Sequence, residues 1–205
     1  MRTPTFSIIL PTYNREELLK RAVKSVLKQD FKNWELIIVN DGSKDNTKKD
    51  YRLWADCRIK HYNIKHKGIS NAKNFGLKKA QGKFITFIDS DDYYHETHLK
   101  KHLDVIKKNN SVDLFYGGAK ILGDNLLPDA DLPGKKIIAE KCTLGGTFFI
   151  KKNVIQKVGG FPEVNFAEDH ELYKIIKRAG FKVKKLNIKT YFYDRTHNGE
   201  ITKLH

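Results

Sequence analysis

The stretch Phe84-Ile85-Thr86-Phe87-Ile88-Asp89-Ser90-Asp91-Asp92 decides how this chain is read. A short, largely apolar run, bounded by Gly82 before it and acids after it, reads as a buried strand of a parallel sheet with carboxylates at its C-terminal end. Open α/β sheets bind ligands outside those ends. Carboxylates grouped there repel one another unless a cation lies between them, and hard oxygen donors favour Mg²⁺ or Mn²⁺. The stretch therefore predicts a divalent-metal site that holds a diphosphate.

Working outward, the first half alternates strand and helix, the pattern of a parallel sheet wound by crossover helices. Strands are expected at Phe6–Leu10, Leu36–Val39, Ile59–Tyr62, Phe84–Ile88 and Val112–Tyr116. Between them, Leu18, Leu19, Ala22, Val23, Val26 and Leu27 recur at helical spacing, with Asn14 and Glu17 read as a cap pair. A polar helix is expected from Asp45, another over Ser70–Ala80 stopped by Gly82, and a third with Leu99, Leu103 and Ile106 inward. The second half is less regular: Gly117, Gly118, Gly123, Pro128, Pro133 and Gly134 punctuate it, and strands near Lys135–Ile138 and Phe148–Ile150 are expected to be short or antiparallel. Leu172, Ile175, Ile176 and Ala179 mark a last amphipathic helix, stopped by Gly180.

Composition bounds the class. A chain of 205 residues, 40% hydrophobic and 31% charged, suits one globular domain. No apolar run approaches the roughly 20 residues needed to span a bilayer. The segment before the first strand has neither a secretory h-region nor a cleavage site, which predicts a cytoplasmic protein. Cys57 and Cys142 lack metal-ligand spacing and read as reduced packing thiols. The formal charge of +15 favours anionic partners. Its lysines, among them Lys20, Lys24, Lys28, Lys78, Lys79, Lys100 and Lys101, are spread over many helices. That spread reads first as solvated faces, next as peripheral contact with an anionic membrane, and speaks against specific nucleic-acid binding.

Four loops sit where strands end or a helix opens: Pro11-Thr12-Tyr13-Asn14, Asn40-Asp41-Gly42-Ser43, Asp89-Ser90-Asp91-Asp92, and Glu168-Asp169. Together, in this order, they resemble the family 2 glycosyltransferases of GT-A fold. The resemblance runs from Phe6 to about Lys203 and includes Ser70-Asn71-Ala72-Lys73-Asn74, Gly159-Gly160-Phe161 and His197. It implies a single α/β GT-A domain over residues 1–205, with a mostly parallel central sheet flanked by helices. Residues 1–116 would form a nucleotide-binding half, and residues 117–205 a smaller irregular or antiparallel acceptor half. The chain is shorter than many such enzymes, so it is expected to be the catalytic domain of a longer multidomain chain or to depend on a partner.

The function so implied is inverting, metal-dependent transfer of a sugar from a nucleoside diphosphate donor, UDP foremost, using Mn²⁺ or Mg²⁺. The acceptor would be a hydroxyl on a glycan, a lipid-linked sugar or a protein, in glycan or polysaccharide synthesis. By the same resemblance, Pro11, Thr12, Tyr13 and Asn14 line the nucleotide site and Asp41 accepts the uracil ring N–H. Lys73 reaches the diphosphate or nucleoside, Asp89 the ribose with Ser90 beside it, and Asp91 the metal. Asp92 is an extra acid that caps the next segment or supports the metal through water. Asp169 is the general base that takes the acceptor proton. Glu168 tunes that base, holds the acceptor, or serves the helix N-terminus. His197 ligates the metal or contacts the diphosphate, and Gly145, Gly146 and Thr147 bring backbone close to the acceptor. Ile175 stands where the family often has an arginine.

Two rivals remain at this stage. A sugar-nucleotide nucleotidyltransferase would want a glycine-rich basic loop after the first strand, which Pro11-Thr12-Tyr13-Asn14-Arg15 is not. A basic nucleic-acid-binding domain would explain the charge and leave the acids without a purpose.

Overall fold

A computed structural model describes residues 3–47 and 54–196. The first half builds β1 (Phe6–Thr12), α1 (Glu16–Leu27), β2 (Trp34–Asn40), β3 (Ile59–Asn63), α2 (Ile69–Lys79) and β4 (Phe84–Phe87). These strands lie in the order β3-β2-β1-β4, and all are parallel. Every residue of β1 and β2 is buried because helices cover both faces, which is why they read as continuous apolar runs.

Alternation sorts the side chains between two cores. Ile8, Leu10, Leu36 and Ile38 pack with Leu19, Ala22, Val23 and Val26 of α1. Ile9, Ile37 and Val39 face the other way, towards Ala72 of α2. The helix of the second half that matters most, Glu168–Arg178, adds Leu172 and Ile176 to that second core.

The remaining elements are β5 (Tyr93–Tyr94), α3 (His98–Lys108), β6 (Leu114–Tyr116), β7 (Ala119–Gly123), β8 (Leu126–Pro128), β9 (Lys136–Ile138), β10 (Phe149–Lys151), α4 (Lys152–Val158), α5 (Glu168–Arg178), β11 (Val183–Lys185) and β12 (Tyr191–Arg195). β10 joins the main sheet antiparallel between β4 and β6, and β11 closes it parallel to β6, giving seven strands. A second sheet, β5-β12-β7, pairs β12 antiparallel to β5 and parallel to β7. β8 and β9 form a separate antiparallel pair. The expected α/β architecture, with a mostly parallel sheet and a smaller antiparallel region, is the one observed.

Several local expectations are corrected. Asn14 and Glu17 do not cap α1. Asn14 has φ 51°, and its side-chain oxygen accepts the Lys44 N–H at 2.8 Å, while the Asp45 carboxylate accepts the Glu16 N–H at 3.2 Å. A contact from a distant loop has displaced the local one. The polar helix expected from Asp45 falls mainly on residues 48–53, outside the described residues. Cys57 is exposed, so it is no packing thiol, whereas Cys142 is half-buried.

Gly82 does not end α2 either. The helix stops at Ala80, which is already extended, with ψ 132°. Gly82 is needed two residues later because a Cβ there would sit 2.5 Å from the backbone nitrogen of Ser7. Its N–H donates to Ser7 Oγ at 2.7 Å, and Ser7 Oγ donates to the buried Glu35 at 2.6 Å. Lys60 completes the network at 2.7 Å from Glu35. Burial pushes the Glu35 carboxyl up, but Lys60, Ser7 and the Gln81 N–H outweigh it and hold the group below its ordinary range. Gly82→Ala is therefore expected to force the β1 backbone aside at a cost of about 1–3 kcal/mol, read as a lower urea midpoint with an unchanged slope.

Candidate active site

The sheet order places a reversal between β1 and β4, the position where α/β sheets open a crevice for ligand. Proline widens it. The Ile9 carbonyl accepts the Ile88 N–H at 3.0 Å, so alternate residues of β1 face β4, and Pro11 falls in that row with no N–H to give. Pairing with β4 ends at Ile9, while pairing with β2 continues to Thr12. Thr12 is buried, and its hydroxyl has no partner among the described residues.

One wall comes from the end of β2. The Asp41 carboxylate accepts the Lys67 and Gly68 N–H groups at 3.0 and 2.8 Å and lies 2.8 Å from His66 Nδ1. It thereby fixes the loop that enters α2. The Tyr13 ring stacks on His66 with centroids 4.1 Å apart and an interplanar angle of 14°, leaving Tyr13 36% exposed. Asn14, expected to line the ligand site, instead ties this loop to Lys44 and Ser43.

The acids after β4 divide into three roles. Asp92 is fully buried: Tyr191 Oη donates to Oδ2 and the Asp194 N–H donates to Oδ1 at 2.8 Å. It bolts the loop to β12. Burial, then Asp91 and Asp89, hold its carboxyl well above the ordinary range. Asp91 is paired with Arg15 at 2.9 Å, and Arg21 donates to its backbone carbonyl. Ser90 is buried beside it. The Asp89 carboxylate has no hydrogen-bond partner among the described residues, and it is pushed up to about 7. Burial is the main cause; Lys73 opposes it, while Asp169, Asp91 and Glu168 add to it.

Opposite these acids, α5 begins. The chain enters it through Ala167 at φ 56°, a conformation that costs a non-glycine residue about 1–2 kcal/mol. Glu168 and Asp169 then converge on one cation: Lys73 Nζ lies 2.8 Å from Glu168 Oε1 and 2.8 Å from Asp169 Oδ1. Lys73, expected to reach the diphosphate or nucleoside, is 1% exposed and spends its ammonium on these two carboxylates. Burial alone would lower its pKa, but Asp169, Glu168 and Asp89 raise it well above the ordinary value. Burial raises Asp169 and outweighs the pull of Lys73, whereas in Glu168 Lys73 wins over burial and the carboxyl is lowered.

The turn before β10 backs this pair. The Gly145 N–H donates to Asp169 Oδ2 at 2.9 Å, and a Cβ on Gly145 would lie 2.3 Å from that carboxylate. A Cβ on Gly146 would lie 2.1 Å from the Tyr191 ring. Thr147 is buried, donating to the Leu144 carbonyl at 2.6 Å and accepting the Gly117 N–H at 2.9 Å. Gly146 and Thr147, expected to bring backbone close to the acceptor, are both buried here.

Among the described residues no group of three or more His, Cys, Asp or Glu side chains could hold a metal by itself. His197 lies outside the described residues. The donor set still fits a hard divalent cation, because Asp89 lacks a protein partner and sits beside Asp91, and such ions are commonly bound by one or two carboxylates plus phosphate oxygens. Sequence reasoning missed Arg15, Arg21, His66 and Tyr191 as parts of this site. Arg15 stood next to the quoted loop; Tyr191 had no local signal, since it meets Asp92 across 99 residues.

A family model described as glycosyl transferase family 2 matches residues 7–157. The UDP-Glc:alpha-D-GlcNAc-diphosphoundecaprenol beta-1,3-glucosyltransferase WfgD of Escherichia coli is 34% identical over 172 residues, covering 82% of this chain and 67% of WfgD. The crystal structure of S. aureus TarS 1-349 in complex with UDP-GlcNAc superposes with a TM-score of 0.79 at 24% identity, over 98% of this chain and 61% of that one. The mannosyltransferase PcManGT from Pyrobaculum calidifontis, in complex with GDP-Man and Mn²⁺, gives a TM-score of 0.74 at 19% identity over 94% and 57%. The chain spans only 31% of an uncharacterized Rickettsia conorii glycosyltransferase that it matches at 30% identity.

A carboxyl whose folded-state pKa is raised keeps its proton longer in the folded chain, so it favours folding at low pH and loses that contribution as pH rises towards the raised value. For Asp89 the window runs from its ordinary 3.8 to about 7. The wild type is expected to lose up to about 1.4 kcal/mol per pH unit relative to Asp89→Asn across that window and nothing further above it. Denaturant unfolding of both proteins at a series of pH values, free of metal and nucleotide, checks this.

Proposed function

The chain belongs to glycosyltransferase family 2, and from that membership and the geometry of the crevice we propose that it transfers a sugar, with inversion, from a UDP-linked donor to a hydroxyl acceptor. The observation that carries the reading is the meeting, at the carboxyl ends of β1 and β4, of an acid loop with one unsatisfied carboxylate and a half-buried carboxylate pair from α5. Family membership sets aside the nucleotidyltransferase and nucleic-acid alternatives.

In this mechanism the nucleoside lies along Tyr13 and Asp41. Asp41 Oδ1 accepts only the Lys67 N–H and keeps a second lone pair for the ring N–H of uracil, while Oδ2 meets both the Gly68 N–H and His66 Nδ1. Asp89 takes the ribose, while Asp91, with His197 as a further ligand, would hold a divalent cation, Mn²⁺ or Mg²⁺, beside the donor diphosphate. Bound there, the cation would neutralise charge on the departing nucleoside diphosphate. Asp169 takes the proton of the acceptor hydroxyl as that oxygen attacks the anomeric carbon from the face opposite the diphosphate. A second carboxylate is not required as acid, because the leaving group departs as a diphosphate.

The acceptor of this reading is a lipid-linked sugar, the class printed in the name of WfgD. No helix among the described residues is long and apolar enough to cross a membrane. Residues 1–205 act as one catalytic domain, whose larger context is a longer chain or a partner.

Calorimetric titration of UDP with and without Mn²⁺ is expected to show binding that needs the metal and weakens at least tenfold, about 1.4 kcal/mol, in Asp91→Ala. UDP binding indifferent to both changes would overturn the donor site. Asp169→Asn is expected to keep UDP affinity while transfer, measured as sugar-dependent UDP release, falls roughly 10²–10⁴-fold or more.

A further inference from the structure

Three half-buried carboxylates, from Asp89, Glu168 and Asp169, surround one buried ammonium, that of Lys73. That ammonium sits within bonding distance of two of them, and the aromatic rings of Phe161 and Phe87 lie 5.0 and 6.0 Å from it. Swinging Lys73 towards a diphosphate would break both ion pairs and leave two adjacent half-buried acids with no counter-charge.

We propose that Lys73 is a positioning residue for the transfer reaction, a built-in counter-ion that keeps Asp169 ionised and aimed beside Glu168, and that it does not contact the donor. The inference rests on the reading of Asp169 as base and goes beyond it. Asp169 is held at two points, Oδ1 by Lys73 and Oδ2 by the Gly145 N–H. Each oxygen keeps a second lone pair for an acceptor proton. Glu168 accepts from the same ammonium, so it competes with Asp169 for one positive charge. The charged groups facing Asp169 are therefore Lys73 from α2, Glu168 from its own helix and, at longer range, Asp89 from the end of β4. Removing the lysine leaves like charges side by side, and one of them must take a proton. Removing the Glu168 charge leaves the whole ammonium to Asp169.

These two changes push the base in opposite directions, which a purely structural lysine would not do. The test is a carboxyl-carbon NMR titration of Asp169 in ligand-free protein, paired with the pH dependence of kcat and with UDP affinity in Mn²⁺. In Lys73→Met the Asp169 midpoint and the acid limb of kcat are expected to move up by about one pH unit or more. Transfer near neutral pH should fall roughly 10²–10⁴-fold, with UDP affinity within about threefold of wild type. Lys73→Arg should recover part of the loss, since it keeps the charge. In Glu168→Gln, a near-isosteric change that keeps the fold measurable if Lys73→Met does not fold, the midpoint and acid limb are expected to move down.

An Asp169 midpoint unmoved in both variants would overturn the proposal. So would a tenfold loss of UDP affinity in Lys73→Met with a normal Asp169 titration, the signature of a donor contact. Midpoints that move as expected while Asp169→Asn retains full transfer would instead locate the failure in the base assignment and leave the counter-ion role standing.

Discussion

Crowding of negative charge at one end of the sheet is the constraint from which the rest of this structure follows. Asp41, Asp89, Asp91, Asp92, Glu168 and Asp169 lie in the loops and first helical turn around one crevice, and each must be balanced locally or keep a proton. The chain balances them one at a time. Backbone N–H groups take Asp41, Arg15 takes Asp91, Tyr191 and the Asp194 N–H take Asp92, and Lys73 takes Glu168 and Asp169 together. Asp89 is left without a hydrogen-bond partner among the described residues, and burial raises its carboxyl as it raises those of Asp92 and Asp169. A half-buried group kept short of partners in this way is costly to the folded chain and is the kind of feature that a ligand or cation relieves.

The same bonds join the two halves of the molecule. Lys73 belongs to α2 of the parallel half, while Glu168 and Asp169 open α5 in the less regular half. Asp92 belongs to the acid loop and Tyr191 to β12. Tyr191 also lies where a Cβ on Gly146 would fall, so the glycine turn, the aromatic ring and the acid loop have to fit around one another. The surfaces that meet donor and acceptor are thus held to one geometry by contacts buried beneath them, and the orientation of a base relative to a leaving group depends on such contacts.

Much of this was legible in the chain because its signals are local. The β4 run and its acids, the alternation of strand and helix, and the buried stripes of α1 and α5 depend on neighbours within a few residues, and they appear where periodicity puts them. What could not be read depends on partners far along the chain. Asn14 carries a cap signal, but the Lys44 N–H competes for its side chain and wins. Gly82 resembles a helix stop, but its reason lies in the Ser7 backbone, 75 residues away. Thr147 looks like a polar site residue, but its hydroxyl is consumed by Leu144 and Gly117. Lys73 is marked as a site cation by the family resemblance, but only the fold reveals its partners, 95 and 96 residues on. The short strands β5, β7, β11 and β12 escape for the same reason, since two to five residues carry too little pattern to stand out.

The choice of lysine at position 73 can itself be argued from the geometry. A guanidinium presents its donors in a rigid planar fork suited to gripping one carboxylate with two bonds. An ammonium is a compact charge with three donors that rotate, so it can give one bond to each of two carboxylates that are not coplanar. Glu168 and Asp169 are successive helix residues whose side chains leave the axis in different directions, and only a point charge set between them serves both at 2.8 Å. The aromatic rings of Phe87 and Phe161 shield that charge from water and strengthen both ion pairs by keeping the local dielectric low. Neighbouring acids that an isolated helix would turn apart are in this way made to act on one another through the lysine between them.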